Sequence, residues 1–227
     1  MYFMWYSAYW VLIPGLLIAA YAQFKVNSAF NQYKIVANSR GISGADAARM
    51  ILDANGLSDV RIGQIGGKLS DNYNPKNKTL NLSADVLRGR SIAAVSIAAH
   101  ECGHAIQHKE DYAPVRIRTA MVPVVNIASM FSWVLIIAGF IFSIFNMTMI
   151  GIIFFSTTVV FQLVTLPVEF NASARALVQL RALGIANETE IYGAKKVLDA
   201  AALTYVAALI VAILQLLRLL LIFGRRN

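Results

Sequence analysis

Fifty consecutive residues, 119–168, carry no formal charge. A bilayer's hydrocarbon core is about 30 Å thick and is crossed by about 20 apolar residues in a helix. Inside it every backbone polar group must be satisfied within the segment, which restricts such a run to helices or a closed barrel. The stretch therefore predicts two helical spans, with the turn near Asn146-Met147-Thr148. Asn126, Ser129, Gln162 and Thr165 are expected to face other helices. The whole chain agrees, with 58% hydrophobic and only 14% charged residues and a mean hydropathy of +0.59. Soluble domains carry roughly 25% charged residues, so the expected class is an integral membrane protein.

Two further spans complete the expectation. Residues 1–22 are uncharged, with early Tyr and Trp as interfacial anchors. Pro14 and Gly15 are expected to kink that helix. Ala20-Tyr21-Ala22 has the look of a signal-peptidase site, but a basic n-region is absent, which predicts an uncleaved anchor. A last span covers 200–224, with Arg218 snorkelling toward Arg225 and Arg226. Four spans put 23–118 and 169–199 on one face, carrying 17 of the 20 Lys/Arg. Positive-inside reasoning places that face in the cytoplasm. The same topology accounts for the net charge of +8, leaving nucleic acid unneeded as a partner. A metal transporter would need ionisable groups inside its spans, and the 119–168 hairpin has none.

The long polar stretch, 23–118, holds 13 Lys/Arg against 8 Asp/Glu. A helix is expected around 27–36. Ser43 with Asp46 then opens a second helix as a capping box, and Gly56 closes it. A strand over 60–65 is followed by Gly66-Gly67, by a turn-rich tip at 71–77, and by a second strand over 78–82. Ser83 caps a short helix to Leu87, and Ser91 caps the next helix. A strand edge shortly before that helix suits an extended peptide held by main-chain hydrogen bonds. Lysines on such an edge equally serve to block aggregation.

The helix after Ser91 carries His100-Glu101-Cys102-Gly103-His104, an H-E-x-x-H motif, and all three histidines of the protein, the last being His108. Residues four apart share a helix face, so His100 and His104 can offer two imidazoles to one tetrahedral ion, most naturally Zn²⁺. Glu101 lies about 100° round the helix, where a carboxylate can serve as general base without ligating. His108 stands about 12 Å along the axis from His100, too far for the same ion. The metzincin pattern is closed too, because Gln107 and Glu110 occupy the positions of its Gly and third His. The third ligand should be a carboxylate from another element. Glu169, the first charge after the hairpin, is placed to supply it. Cys102, the single cysteine, excludes an internal disulfide and points opposite His100, which suits packing.

Several motifs resemble the YugP-type bacterial membrane proteins, a family named for neutral zinc metallopeptidases. They are Leu69-Ser70-Asp71-x-Tyr73-x-Pro75, Leu80-x-Leu82-Ser83, Gly89-Arg90-Ser91-Ile92, Ala98-Ala99-His100-Glu101-x-Gly103-His104-Ala105-x-Gln107, and Leu166-Pro167-Val168-Glu169-Phe170-Asn171-Ala172-Ser173. A more distant likeness is to HtpX-type and CaaX-prenyl peptidases, in which a membrane hairpin separates H-E-x-x-H from a Glu-containing helix. That likeness implies Glu169 as the third zinc ligand. Those relatives carry Asp four residues after this Glu, where this chain has Ser173.

The expected architecture is thus a mostly α integral membrane protein, with about four transmembrane helices and a small α+β zincin-like peptidase domain. Its parts are an anchor (1–22), a cytoplasmic peptidase domain (23–118), a transmembrane hairpin (119–168), a helical segment completing the metal site (169–199) and a C-terminal span (200–224). The expected activity is that of a gluzincin-like metalloendopeptidase, with Zn²⁺ on His100, His104 and Glu169 and with Glu101 as base. Tyr73, Tyr192 or Arg175 would steady the oxyanion. The substrate would be a peptide or membrane protein and the lipid bilayer the environment; an oligomer is compatible with it. The alternative is a metal-binding membrane scaffold without catalysis.

Overall fold

The computed structural model describes residues 9–223. The first eight residues of the expected anchor lie outside the described residues, as do Arg225 and Arg226. Among these residues the named elements run in the order α1 (Ile13–Lys34), α2 (Gly44–Ala54), β1 (Arg61–Ile65), β2 (Asn72–Asn74), β3 (Thr79–Ser83), α3 (Ala84–Leu87), α4 (Ile92–Lys109), α5 (Ala113–Ile141), α6 (Phe145–Ala182) and α7 (Glu188–Phe223). Among the described residues, α5, α6 and α7 are long and apolar enough to cross a membrane. The chain forms two compact units, one of residues 24–115 with 168–202 and the other of 1–23, 116–167 and 203–227.

The expected helices merge into longer ones. α1 runs without a break from Ile13 to Lys34, because nothing between Ala22 and Asn27 stops a helix. Pro14 falls in its first turn, where a missing N–H costs nothing, and a turn at Val11–Leu12 separates it from the helical Tyr9–Trp10. The helical segment expected over 169–199 is likewise divided between the end of α6 and the beginning of α7. Leu183 to Ala186 separate the two helices, with Gly184 at a φ of +58°.

In the apolar unit the hairpin turn falls at 142–144, just before the expected tripeptide, with Ser143 at a φ of +59°. Ser132 donates to the Gly151 carbonyl at 2.9 Å, and Ser129 lies 3.4 Å from Thr158. Ile136, Ile152, Leu219 and Phe223 pack together beneath them. Ser129 thus meets a neighbouring helix, but Asn126 is exposed and corrects the expectation. Thr165 is buried and bonds its own helix at the Phe161 carbonyl. Arg218 stacks on the Tyr9 ring at 4.0 Å and donates to Gln215 at 3.3 Å.

The mixed unit follows its caps. Ser43 and Asp46 form the capping box that starts α2, and Gly56, at a φ of +64°, ends it. Ser91 accepts from the Ala94 amide and starts α4. Ser83 precedes α3 without capping it; its amide and hydroxyl bind Asp71 at 2.7 and 3.1 Å instead. The sheet order is β1-β3-β2, with β1 and β3 parallel and β2 and β3 antiparallel. β2 occupies what reads as a turn, held in place by Asn81 donating to Asn72 at 3.0 Å. Ile51, Leu52, Leu80, Leu82, Val86 and Cys102 form the core between sheet and helices. α4 crosses this core, which fixes where its polar residues emerge.

Candidate metal centre

The first two turns of α4 are buried from Ile92 to Ala99, so the helix is anchored before its polar residues begin. His100 and His104 follow on one face, their rings edge to face with centroids 4.8 Å apart. Both side chains are largely buried, at 14% and 17% exposure. Glu169, 2% exposed on α6, brings its Oε2 to 3.4 Å from His100 Nε2 and 3.5 Å from His104 Nε2. The close approach of the two helices rests on Gly103. A Cβ at that position would sit 2.5 Å from the Ala172 carbonyl oxygen.

The three side chains fit a zinc ion. Their ligand atoms all lie within 4.8 Å of one another, and the two nitrogen–oxygen separations are close to the roughly 3.3 Å that bonds of about 2.0–2.1 Å in tetrahedral array would give. The other ring nitrogens are engaged, as ligating imidazoles require. His100 Nδ1 lies 3.1 Å from the Ser173 hydroxyl, and His104 Nδ1 lies 3.0 Å from Gln107 Oε1. Gln107 is completely buried and donates to the Val168 carbonyl and to Asn171.

Glu101 is buried on the same helix. Burial pushes its carboxyl pKa up; His104 and His100 pull it back only in part, while Glu169 and Asp71 add to the rise. For His104, burial lowers the imidazole pKa. The acceptors Glu169 and Gln107, with the charge of Glu101, outweigh it and leave the net shift upward. Cys102 faces the Ala48 carbonyl in the core, with its thiol pKa driven up by burial, in keeping with packing.

The remaining candidates have other partners. His108 is exposed, with its ring 6.1 Å from that of Tyr73. Tyr192 is 61% exposed, with the Lys196 ammonium over its ring. Arg175 binds Asn171 at 2.7 Å and Glu110 at 2.7 Å and lies over the Tyr112 ring. Tyr73 is half-buried on β2, and desolvation holds its hydroxyl pKa up. The fold also brings Ser173 and Gln107 to the two imidazoles; the sequence marked Ser173 only as the position of the relatives' Asp and Gln107 only as part of the histidine motif. Within that motif Gln107's cue is its spacing of three from His104, which shares a helix face.

Two imidazoles and a carboxylate are a donor set found in zinc hydrolases, and among the described residues three helices are long and apolar enough to cross a membrane. The class is a membrane metallopeptidase. The chain belongs to the family described as "putative neutral zinc metallopeptidase", whose model matches residues 8–224. It is 47% identical over 211 residues to the "putative membrane protease YugP" of Bacillus subtilis (strain 168), covering 93% of this chain and 94% of that protein. No solved structure matches the chain at a significant level. Zinc is accordingly the cofactor, and peptide the substrate class.

Proposed function

We propose that the protein is a gluzincin-like metalloendopeptidase in which His100, His104 and Glu169 hold the zinc and Glu101 is the general base. The observation that carries this reading is the pair of distances, 3.4 and 3.5 Å, from both Nε2 atoms to one oxygen of Glu169. Zinc held by these three side chains would supply Lewis acidity, lowering the pKa of a nucleophilic water toward neutrality. Glu101 takes the proton of the attacking water and returns it to the leaving amine. The burial that raises its carboxyl pKa suits it to hold that proton between the two steps. A bystander glutamate would gain nothing from such burial.

The substrate strand is also reassigned. β3, the strand expected to offer an edge, is central, so the free edges belong to β1 and β2. β2 adjoins α4 through Tyr73 and His108, which makes its outer edge our choice for the peptide. Tyr73 is the oxyanion donor we assign, since Arg175 is tied to Glu110 and Asn171 and Tyr192 is exposed. The cytoplasmic orientation rests on the 17 Lys/Arg of 23–118 and 169–199. Glu101→Gln tests the mechanism. It should keep the zinc and lower peptide cleavage by about 10²–10⁴-fold, whereas wild-type turnover would remove Glu101 from its role. A wild type that cleaves no member of a broad peptide library would favour the scaffold.

A further inference from the structure

Gln107 is fully buried, and its amide has a determined orientation. The amide nitrogen lies 2.8 Å from the Val168 carbonyl oxygen and 2.9 Å from Asn171 Oδ1. A carbonyl can only accept. The identity of the Asn171 oxygen is fixed in turn by Arg175, whose Nε lies 2.7 Å away and can only donate. Glu110, at 2.7 Å, and the Tyr112 ring hold that guanidinium in place. Both donors of Gln107 are therefore committed, and the atom facing His104 Nδ1 at 3.0 Å is the acceptor Oε1. Only an Nδ1–H on His104 satisfies it.

We propose that Gln107 is a positioning residue, locked through Asn171 and Arg175, that holds His104 as the Nδ1–H imidazole and turns Nε2 toward Glu169. The proposal rests on the reading of His104 as a zinc ligand. His100 is held differently. Its partner is the Ser173 hydroxyl, which can donate or accept by rotating and so imposes no tautomer. One histidine is fixed by a partly buried relay reaching from a half-exposed glutamate, and the other stays adaptable.

Zinc affinity of the full chain in detergent, measured by competition with a chelator, tests this alongside thermal melting of the metal-free protein. Gln107→Leu leaves Asn171 bonded to Arg175 and the Val168 carbonyl within its helix, so the orphaned group is His104 Nδ1–H. The expected loss of affinity is about 10–100-fold. Asn171→Asp keeps an acceptor for both Gln107 and Arg175 and should retain wild-type affinity. Affinity of Gln107→Leu within about twofold of wild type overturns the proposal even if melting falls, since a purely structural role moves stability alone. Cadmium-113 bound to nitrogen-15 histidine-labelled wild type should couple to Nε2 of His104; coupling to Nδ1 overturns the proposal whether or not the variant folds. Undiminished zinc in His104→Ala would instead overturn the ligand assignment, a result read independently of Gln107.

Discussion

Gly103→Ala should damage the metal centre without touching a ligand. The added Cβ would lie 2.5 Å from the Ala172 oxygen and 3.1 Å from its carbonyl carbon and Cα. Relaxing the first contact to about 3.4 Å requires α4 and α6 to part by roughly 0.9 Å at that point. Backbone cannot swing aside as a flexible side chain would. Ala172 is one helical turn beyond Glu169, so the separation carries the carboxylate away from both imidazoles. A zinc site tolerates ligand displacements of about 0.2 Å, and overpacking costs about 1–3 kcal/mol. If most of that strain is relieved by opening the site, zinc binding weakens by about 5–150-fold at 1.4 kcal/mol per factor of ten. Chelator competition measures it, with Gly66→Ala as the control because a Cβ there meets nothing within 4 Å. Wild-type zinc affinity in a folded Gly103→Ala protein would refute the argument that this glycine sets the helix spacing.

Other outcomes follow from the same structure. Asp71 has its carboxyl pKa raised above 3.8, chiefly by burial and only partly offset by Ser83. A carboxyl raised in the folded state lends stability below its unfolded pKa and loses it as pH rises through the folded one. Asp71→Asn, which keeps a carbonyl acceptor for Ser83, should therefore gain on wild type in thermal melts as the pH climbs from 3.8 toward neutrality; a gap that narrows instead contradicts it. Tyr73→Phe should lower kcat by about 10²–10³-fold while leaving zinc affinity unchanged, and an unaltered kcat would return the oxyanion donor to Arg175 or Tyr192. A cysteine at Asn77 should escape an impermeant thiol reagent in intact cells and one near Asn146 should react; efficient labelling of Asn77 from outside would reverse the orientation.

The chemistry-bearing helix was legible because its signals are local. Four-residue spacing fixes which residues of α4 share a face, and Ser91 and Ser43 act on amides three residues away. Glu169 could be found because a lone charge after fifty uncharged residues has few roles open to it. What escaped depends on partners distant in sequence. Asn72 and Asn74 suit a turn, and only pairing with residues 79–81 of the neighbouring strand makes them part of a sheet. Ser83 looks like a cap until Asp71 claims its amide and hydroxyl. Asn126 could not be oriented because a helix apolar on every side hides which face meets a neighbour. Gln107 and Ser173 stood only within matching motifs, and the sequence did not tell which imidazole nitrogen each approaches.

Zinc content of the purified chain, compared across Glu169→Gln and His108→Ala, tests the central claim most directly. Wild type and His108→Ala should each retain about one zinc per chain, and Glu169→Gln, isosteric but a poor ligand for the ion, should lose it. Zinc lost from His108→Ala and kept by Glu169→Gln would contradict the account.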